Sequence, residues 1–323
     1  MTALEIVRFL PPGFLEESLR ADALTGLTSS PKRLPPKWFY DDRGSELFEQ
    51  ITRLPEYYPT RAEREILHRR AAEIASASCA DTLVELGSGS AGKTGLLLEA
   101  LRECGTLHSY VPVDVSEAAL VAAGRRVRAA YPDLAVRAVV SDFEEHLGLP
   151  IAGGPRMVAF LGSTIGNLLP AERAEFLASL RAELGTRDTL LLGTDLVKDP
   201  ATLVAAYDDA AGVTAAFNKN VLSVLNRELD GDFDLATFGH VAAWDGANEW
   251  IEMRLRSLPE QSVKLGALGV LVRFRAGEEM RTEVSAKFRE EGVRAELAAA
   301  GFKMRAWWTD EEGRFALSLS VPL

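Results

Sequence analysis

The run Leu83-Val-Glu-Leu-Gly-Ser-Gly-Ser-Ala-Gly-Lys-Thr94 combines three ligand chemistries in twelve residues. Gly87, Gly89 and Gly92 spell the dinucleotide pattern G-x-G-x-x-G, and with Lys93 and Thr94 the same run spells the phosphate-binding P-loop. Starting from Glu85 it is also the acidic-x-Gly-x-Gly turn that receives the methyl donor S-adenosylmethionine. All three need a turn without Cβ atoms, so that backbone N–H groups can approach a ligand at a helix start. The surroundings differ. Glu85 would repel a triphosphate, whereas a sulfonium amino acid with its own ammonium group would welcome a carboxylate there. Asp114 closes Tyr110-Val-Pro-Val-Asp, where dinucleotide and methyl-donor proteins alike place a ribose-binding acid. Asp142, in Val139-Val-Ser-Asp-Phe143, stands where an acid would meet the adenine amino group. Against these, Thr189-Leu-Leu-Leu-Gly-Thr-Asp195 offers the magnesium-binding Asp of a P-loop protein, so that reading stays open here.

The elements that must position these residues alternate short apolar runs with amphipathic stretches, as in a parallel sheet wrapped by helices. The runs are Thr82–Leu86, Tyr110–Val115, Val136–Ser141, Met157–Gly162 and Thr189–Leu196. Helices are expected over Lys93–Glu103, Glu117–Ala130 and Ala171–Leu184, the last preceded by Pro170. From about Lys198 to Ala286 the pattern breaks into a helical piece, Thr202–Leu225, and alternating strands. Trp250-Ile-Glu-Met-Arg-Leu-Arg256 puts Ile251, Met253 and Leu255 on one face, and Val270–Arg275 is another strand. A helix near Arg289–Ala300 then stops at Gly301, before strands Lys303–Thr309 and Phe315–Val321. A terminal hairpin on a parallel sheet points to an α/β fold, the seven-stranded, mostly parallel, Rossmann-like methyltransferase sheet. The expected donor domain is 61–197 with 287–323, and a substrate domain combines 12–60 with the insertion 198–286.

Composition narrows the class. The chain has 323 residues, 47% hydrophobic and 26% charged, the balance of an ordinary globular protein. A net charge of −11 argues against a nucleic-acid partner. His68, His108, His146 and His240 are scattered, so no metal is expected. Cys79 and Cys104 suggest no disulfide framework and fit a reducing cytoplasm. No stretch reaches the length of a membrane span. A monomeric cytoplasmic enzyme acting on a small molecule is expected. In the N-terminal arm, Leu34–Asp41 and Leu54–Arg61 crowd aromatics and prolines around a short helix, Ser45–Thr52, which reads equally as packing or as an aromatic lid.

Longer runs carry more information than the glycine turn. Pro35-Pro-Lys-Trp-Phe-Tyr-Asp41, Ile51-Thr-Arg-Leu-Pro-Glu-Tyr-Tyr-Pro-Thr-Arg61, Leu161-Gly-Ser-Thr-Ile-Gly-Asn167, Leu192-Gly-Thr-Asp-Leu-Val-Lys198 and Ala276-Gly-Glu-Glu-Met-Arg-Thr-Glu-Val-Ser285 together resemble the histidine-specific Nα-methyltransferases of ergothioneine biosynthesis. The likeness runs from Leu27 to Leu319. It implies three successive methylations of the α-amine of L-histidine by S-adenosylmethionine, giving hercynine. One departure is Ala91-Gly92, where a bulkier polar pair is expected before Lys93.

The same resemblance implies roles for individual residues. Gly87 and Lys93 are implied at the methionine end of the donor, Asp114 at its ribose, and Asp142 and Phe143 at its adenine. Asn167 and Gly162 lie in the run that orients the nucleophile, although Asn167 alone reads equally as a helix cap. Tyr57 and Tyr207 are implied at the histidine carboxylate, and Tyr40 at the amine and the donor side. Glu283 and Ser285, two apart on an extended segment, share a face. A carboxylate and a hydroxyl there match the one donor and one lone pair of a neutral imidazole, and Met253 is implied as an apolar wall. With Tyr40 and Asn167 orienting the amine, its proton is expected to pass to water. A related amino-acid N-methyltransferase, for tryptophan for example, would share the fold and donor site, so the acceptor rests on Glu283, Ser285 and their context.

Overall fold

The computed structural model describes residues 4–88, 93–142, 147, 149 and 153–323. Gly89, Gly92 and Phe143, each singled out above, lie outside them. The chain divides into two compact units. The first comprises Met1–Pro11, Pro59–Val197 and Lys287–Leu323, and the second Pro12–Tyr58 and Lys198–Ala286.

In the first unit the apolar runs pair as a single sheet, in the order Glu5–Arg8, Ala135–Val140, Ser109–Asp114, Thr82–Leu86, Arg156–Phe160, Thr189–Asp195, Phe315–Pro322, Phe302–Thr309. The first six are parallel, and the terminal hairpin adds antiparallel to Thr189–Asp195. Thr82–Leu86 is buried at every position, which explains why Leu83, Val84 and Leu86 do not alternate with exposed polar residues. The sheet has eight strands, where seven were expected. The additional one, Glu5–Arg8, is four residues long, too short to show a period. It is held because Leu4 and Ile6 pack on Leu120, Ala138 and Val140.

The second unit holds a four-stranded sheet, in the order Lys32–Arg33, Glu279–Ala286, Trp250–Ser257, Phe238–Asp245, and a separate hairpin, Gln261–Leu265 with Val270–Phe274. Its own core includes Phe39, Phe217, Val221, Leu225, Ile251 and Leu255. The helix expected over Thr202–Leu225 is two helices, Pro200–Tyr207 and Val213–Leu229. The break has a local cause. The Asp209 carboxylate accepts from the N–H groups of Val213 and Thr214 at 3.0 and 2.7 Å, which starts a new helix after Gly212, at φ 73°. Tyr207 therefore sits at a helix end.

Candidate functional site

In the first unit the singled-out residues gather at the carboxyl ends of parallel strands, where open α/β sheets bind ligands. Gly87 follows Thr82–Leu86 at φ 65°, a conformation that L side chains rarely adopt, and its N–H donates to the Val113 carbonyl at 2.9 Å. Asp114 ends its strand half-buried and accepts from the Ser116 N–H at 3.0 Å. Asp142 follows Ala135–Val140 and is 3% exposed. Gly162 and Ser163 both adopt left-handed conformations, at φ 76° and 59°. They lead into a single turn, Thr164–Asn167, that ends on Asn167. The next helix starts at Pro170 with Leu169 as its N-cap, so Asn167 does not cap it.

Glu63, on the helix Pro59–Ser78, ties this end of the unit together. Fully buried, it accepts the Gly162 N–H at 2.7 Å and forms an ion pair with Lys93. A Cβ on Gly193 would lie 2.4 Å from its Oε1, which accounts for the glycine in Leu192-Gly-Thr-Asp. Glu63 belongs to none of the motifs above, although its spacing carries a signal. It shares a helical stripe with Ile66, Leu67 and Ile74, all buried.

Glu85 does not stand open to a ligand's ammonium. It is buried, and it accepts from Thr94 Oγ1 at 2.6 and 2.7 Å and from the Tyr110 hydroxyl at 2.6 Å. Burial pushes its carboxyl up to about 7, against the opposing pull of those hydrogen bonds and of Lys93. The P-loop reading is weakened too, because Thr94, whose hydroxyl would meet magnesium, is fully buried and turned to Glu85. Asp195, the other magnesium candidate, is buried against Lys287, 3.0 Å away. Among the described residues no cluster of His, Cys, Asp or Glu could hold a metal ion.

In the second unit the arm and the sheet each contribute. Tyr40 follows the turn Pro36–Phe39, is 40% exposed, and meets Phe48 and Phe217 edge-on at 5.6 and 5.4 Å. Tyr57 packs between Phe48 and Tyr207, with centroids 6.2 and 6.4 Å away. The Tyr207 hydroxyl is 2.7 Å from Ser285 Oγ. Glu283 stands opposite Met253 in the ladder, and Ser285 opposite Ile251. Tyr57, Tyr207, Met253, Glu283 and Ser285 thus lie on neighbouring elements of one unit, with Met253 and Ser285 buried and Glu283 half-buried.

His240, one of the four scattered histidines and expected to be no ligand, is a buried hydrogen-bonding residue of this unit. Its side chain is 3% exposed, and Nε2 lies 2.8 Å from the Tyr207 carbonyl. A carbonyl only accepts, so Nε2 carries the proton and Nδ1 accepts from the Asn218 amide at 2.8 Å.

Residues 19–322 match the model of a family described as histidine-specific methyltransferase, SAM-dependent. The histidine N-alpha-methyltransferase of Mycolicibacterium smegmatis is 58% identical over 318 residues, covering 98% of this chain and 99% of that protein. The protein of the same name from Mycobacterium tuberculosis is 59% identical over 304 residues, 94% of this chain and 95% of its own. Ergothioneine biosynthesis protein 1 of Neurospora crassa is 35% identical over 204 residues, 61% of this chain and 23% of that protein.

Proposed function

The chain belongs to the histidine-specific, S-adenosylmethionine-dependent methyltransferases, and on that premise we propose that it trimethylates the α-amine of L-histidine to hercynine, the first step of ergothioneine biosynthesis. The observation that carries this reading is similarity at 58% identity along nearly the whole of a histidine N-alpha-methyltransferase. Neither competing reading gains from the structure. Thr94 and Asp195, which a P-loop protein would turn toward magnesium, are held by Glu85 and Lys287. A tryptophan acceptor would not use the second polar partner that Glu283 and Ser285 offer together.

The first unit suits the donor. Gly87, exposed and left-handed, puts no side chain between the strand end and a ligand. Lys93 supplies a cation for the donor's carboxylate, while Asp114 and Asp142 supply strand-end carboxylates for ribose and adenine. The other expected adenine contact, Phe143, lies outside the described residues. S-adenosylmethionine would supply an electrophilic methyl on a positively charged sulfur.

The acceptor's requirements fall to the chain's own residues. Tyr57 and Tyr207 bind the histidine carboxylate, and Glu283 and Ser285 bind the imidazole beside Met253. Asn167, with Gly162 in the same turn, and Tyr40 orient the amine lone pair, which must be unprotonated to attack. Both ring nitrogens of His240 are engaged, so it is no base for that proton, which passes to water. A net charge of −11 and the free thiols of Cys79 and Cys104 fit an enzyme acting on a free amino acid in a reducing cytoplasm, and we read it as a monomer.

The test is incubation with labelled S-adenosylmethionine and each amino acid in turn, with product masses measured. Histidine should gain three methyl groups. Faster methylation of another amino acid, or a product arrested at one methyl, would overturn the proposal.

A further inference from the structure

Strict alternation along Glu279-Met-Arg-Thr-Glu-Val-Ser-Ala286 would place Glu279, Arg281, Glu283 and Ser285 on one face. The ladder shows otherwise. Glu279 stands opposite Arg256 and Arg281 opposite Arg254, and the register then shifts so that Glu283 faces Met253 and Ser285 faces Ile251. Residues opposite one another share a face, and Met253 and Arg254, being consecutive, point to opposite faces. Arg281 and Glu283 are therefore on opposite faces, although two residues apart. Thr282 is the extra residue, a β-bulge that re-aims the rest of the strand. Without the bulge the Glu283 carboxylate would join the charged face of Arg254, Arg256 and Glu279, where these side chains already pair.

The bulge is anchored from behind. Thr282 is fully buried, its hydroxyl 2.6 Å from Asn218 Oδ1 and 3.0 Å from the Met253 carbonyl. The Asn218 amide is also fully buried, and it donates to the Arg254 carbonyl at 3.1 Å and to His240 Nδ1 at 2.8 Å. His240 in turn donates to the carbonyl of Tyr207. One neutral chain of hydrogen bonds thus runs from the helix end carrying Tyr207 to the bulge that aims Glu283. Each partner fixes the next, since Asn218 has both its oxygen and its amide engaged.

We propose that Asn218, Thr282 and His240 are positioning residues for histidine recognition, holding the bulge that turns Glu283 onto the face of Met253 and Ser285. This rests on the assignment of the imidazole to Glu283. The test is a double-mutant cycle with Thr282→Val and Glu283→Ala, reading kcat/KM for histidine and, as control, donor affinity. Thr282→Val should lower histidine kcat/KM by about tenfold, mainly through KM, which is the scale of leaving a buried amide acceptor unpaired. Donor affinity should be unchanged, and Thr282→Ser, which keeps the hydroxyl, should restore histidine use. In the Glu283→Ala background the added Thr282→Val should cost little, because coupled residues are non-additive.

Additive losses, or an unchanged KM in Thr282→Val, overturn the positioning role while leaving Glu283 as the imidazole partner. Undiminished histidine use in Glu283→Ala overturns that assignment and this proposal with it. If Thr282→Val does not fold, Asn218→Asp replaces it in the same cycle. That variant keeps the oxygen facing Thr282 and loses the donors to His240 and Arg254.

Discussion

The two units hold buried polar groups steady by opposite means. In the first the braces are ionic, with Glu63 against Lys93 and Asp195 against Lys287. In the second, the ion pairs around Arg254 and Glu279 lie on a partly exposed face, and the buried chain of Tyr207, His240, Asn218 and Thr282 is neutral. Ion pairs in a low dielectric orient strongly, but each leaves a costly orphan if one partner goes. A neutral chain is less sensitive to salt and to most of the pH range. The difference matches the proposed ligands, a charged donor in one unit and the neutral ring of an amino acid in the other.

The largest effect should come from breaking an ionic brace. Lys287→Met leaves Asp195 buried without its cation, which should cost about 3–5 kcal/mol of stability in denaturant unfolding. A loss below about 1 kcal/mol, the usual worth of an exposed pair, would place the brace elsewhere.

The next largest concerns pH in the first unit. Glu85 is raised from its ordinary 4.5 to about 7 by burial. A folded value above the unfolded one means that its contribution is full below 4.5 and is lost as pH rises through about 7. The loss should be on the order of 3 kcal/mol, and Glu85→Gln should flatten this part of the stability profile. Identical profiles for the variant and the parent would show that Glu85 is ionised in both states.

The smallest effect sharpens the contrast by having the opposite sign. Burial pushes His240 below its ordinary 6.5, against the pull of the Tyr207 carbonyl and of Asp208 and Asp209. Its contribution is present above 6.5 and fades as pH falls through the lowered value, where a second ring proton would deprive the Asn218 amide of its acceptor. The ring resonances of His240 should titrate below 6.5, and titration at or above that value would contradict a neutral brace.

The first unit was largely legible in the sequence because its central strands are buried on both faces and read as mostly apolar runs. Gly87, Asp114 and Asp142 were legible as strand-end positions because each closes or follows an apolar run. Glu5–Arg8 was not, since four residues show no period. The second unit was harder to read. A bulge cannot be seen in Glu279–Ala286, where alternation reads straight through Thr282, and the contact that creates it comes from Asn218, sixty-four residues away. What the two hidden braces share is a readable anomaly. Glu63 and Asn218 are each a polar residue within an apolar helical stripe, the second among Val221, Leu222 and Leu225.

The chain leaves the first unit after Val197 and re-enters it at Lys287. The leaving and returning segments are bonded to each other, Phe288 N–H to the Asp195 carbonyl at 2.8 Å and Val197 N–H to the Phe288 carbonyl at 3.0 Å. The host sheet therefore sees the intervening residues as a closed loop whose ends already touch, and closure cost grows only slowly with the length between them. For evolution this is a socket. A lineage can lengthen, trim or replace residues 198–286 without re-registering a single strand of the host sheet.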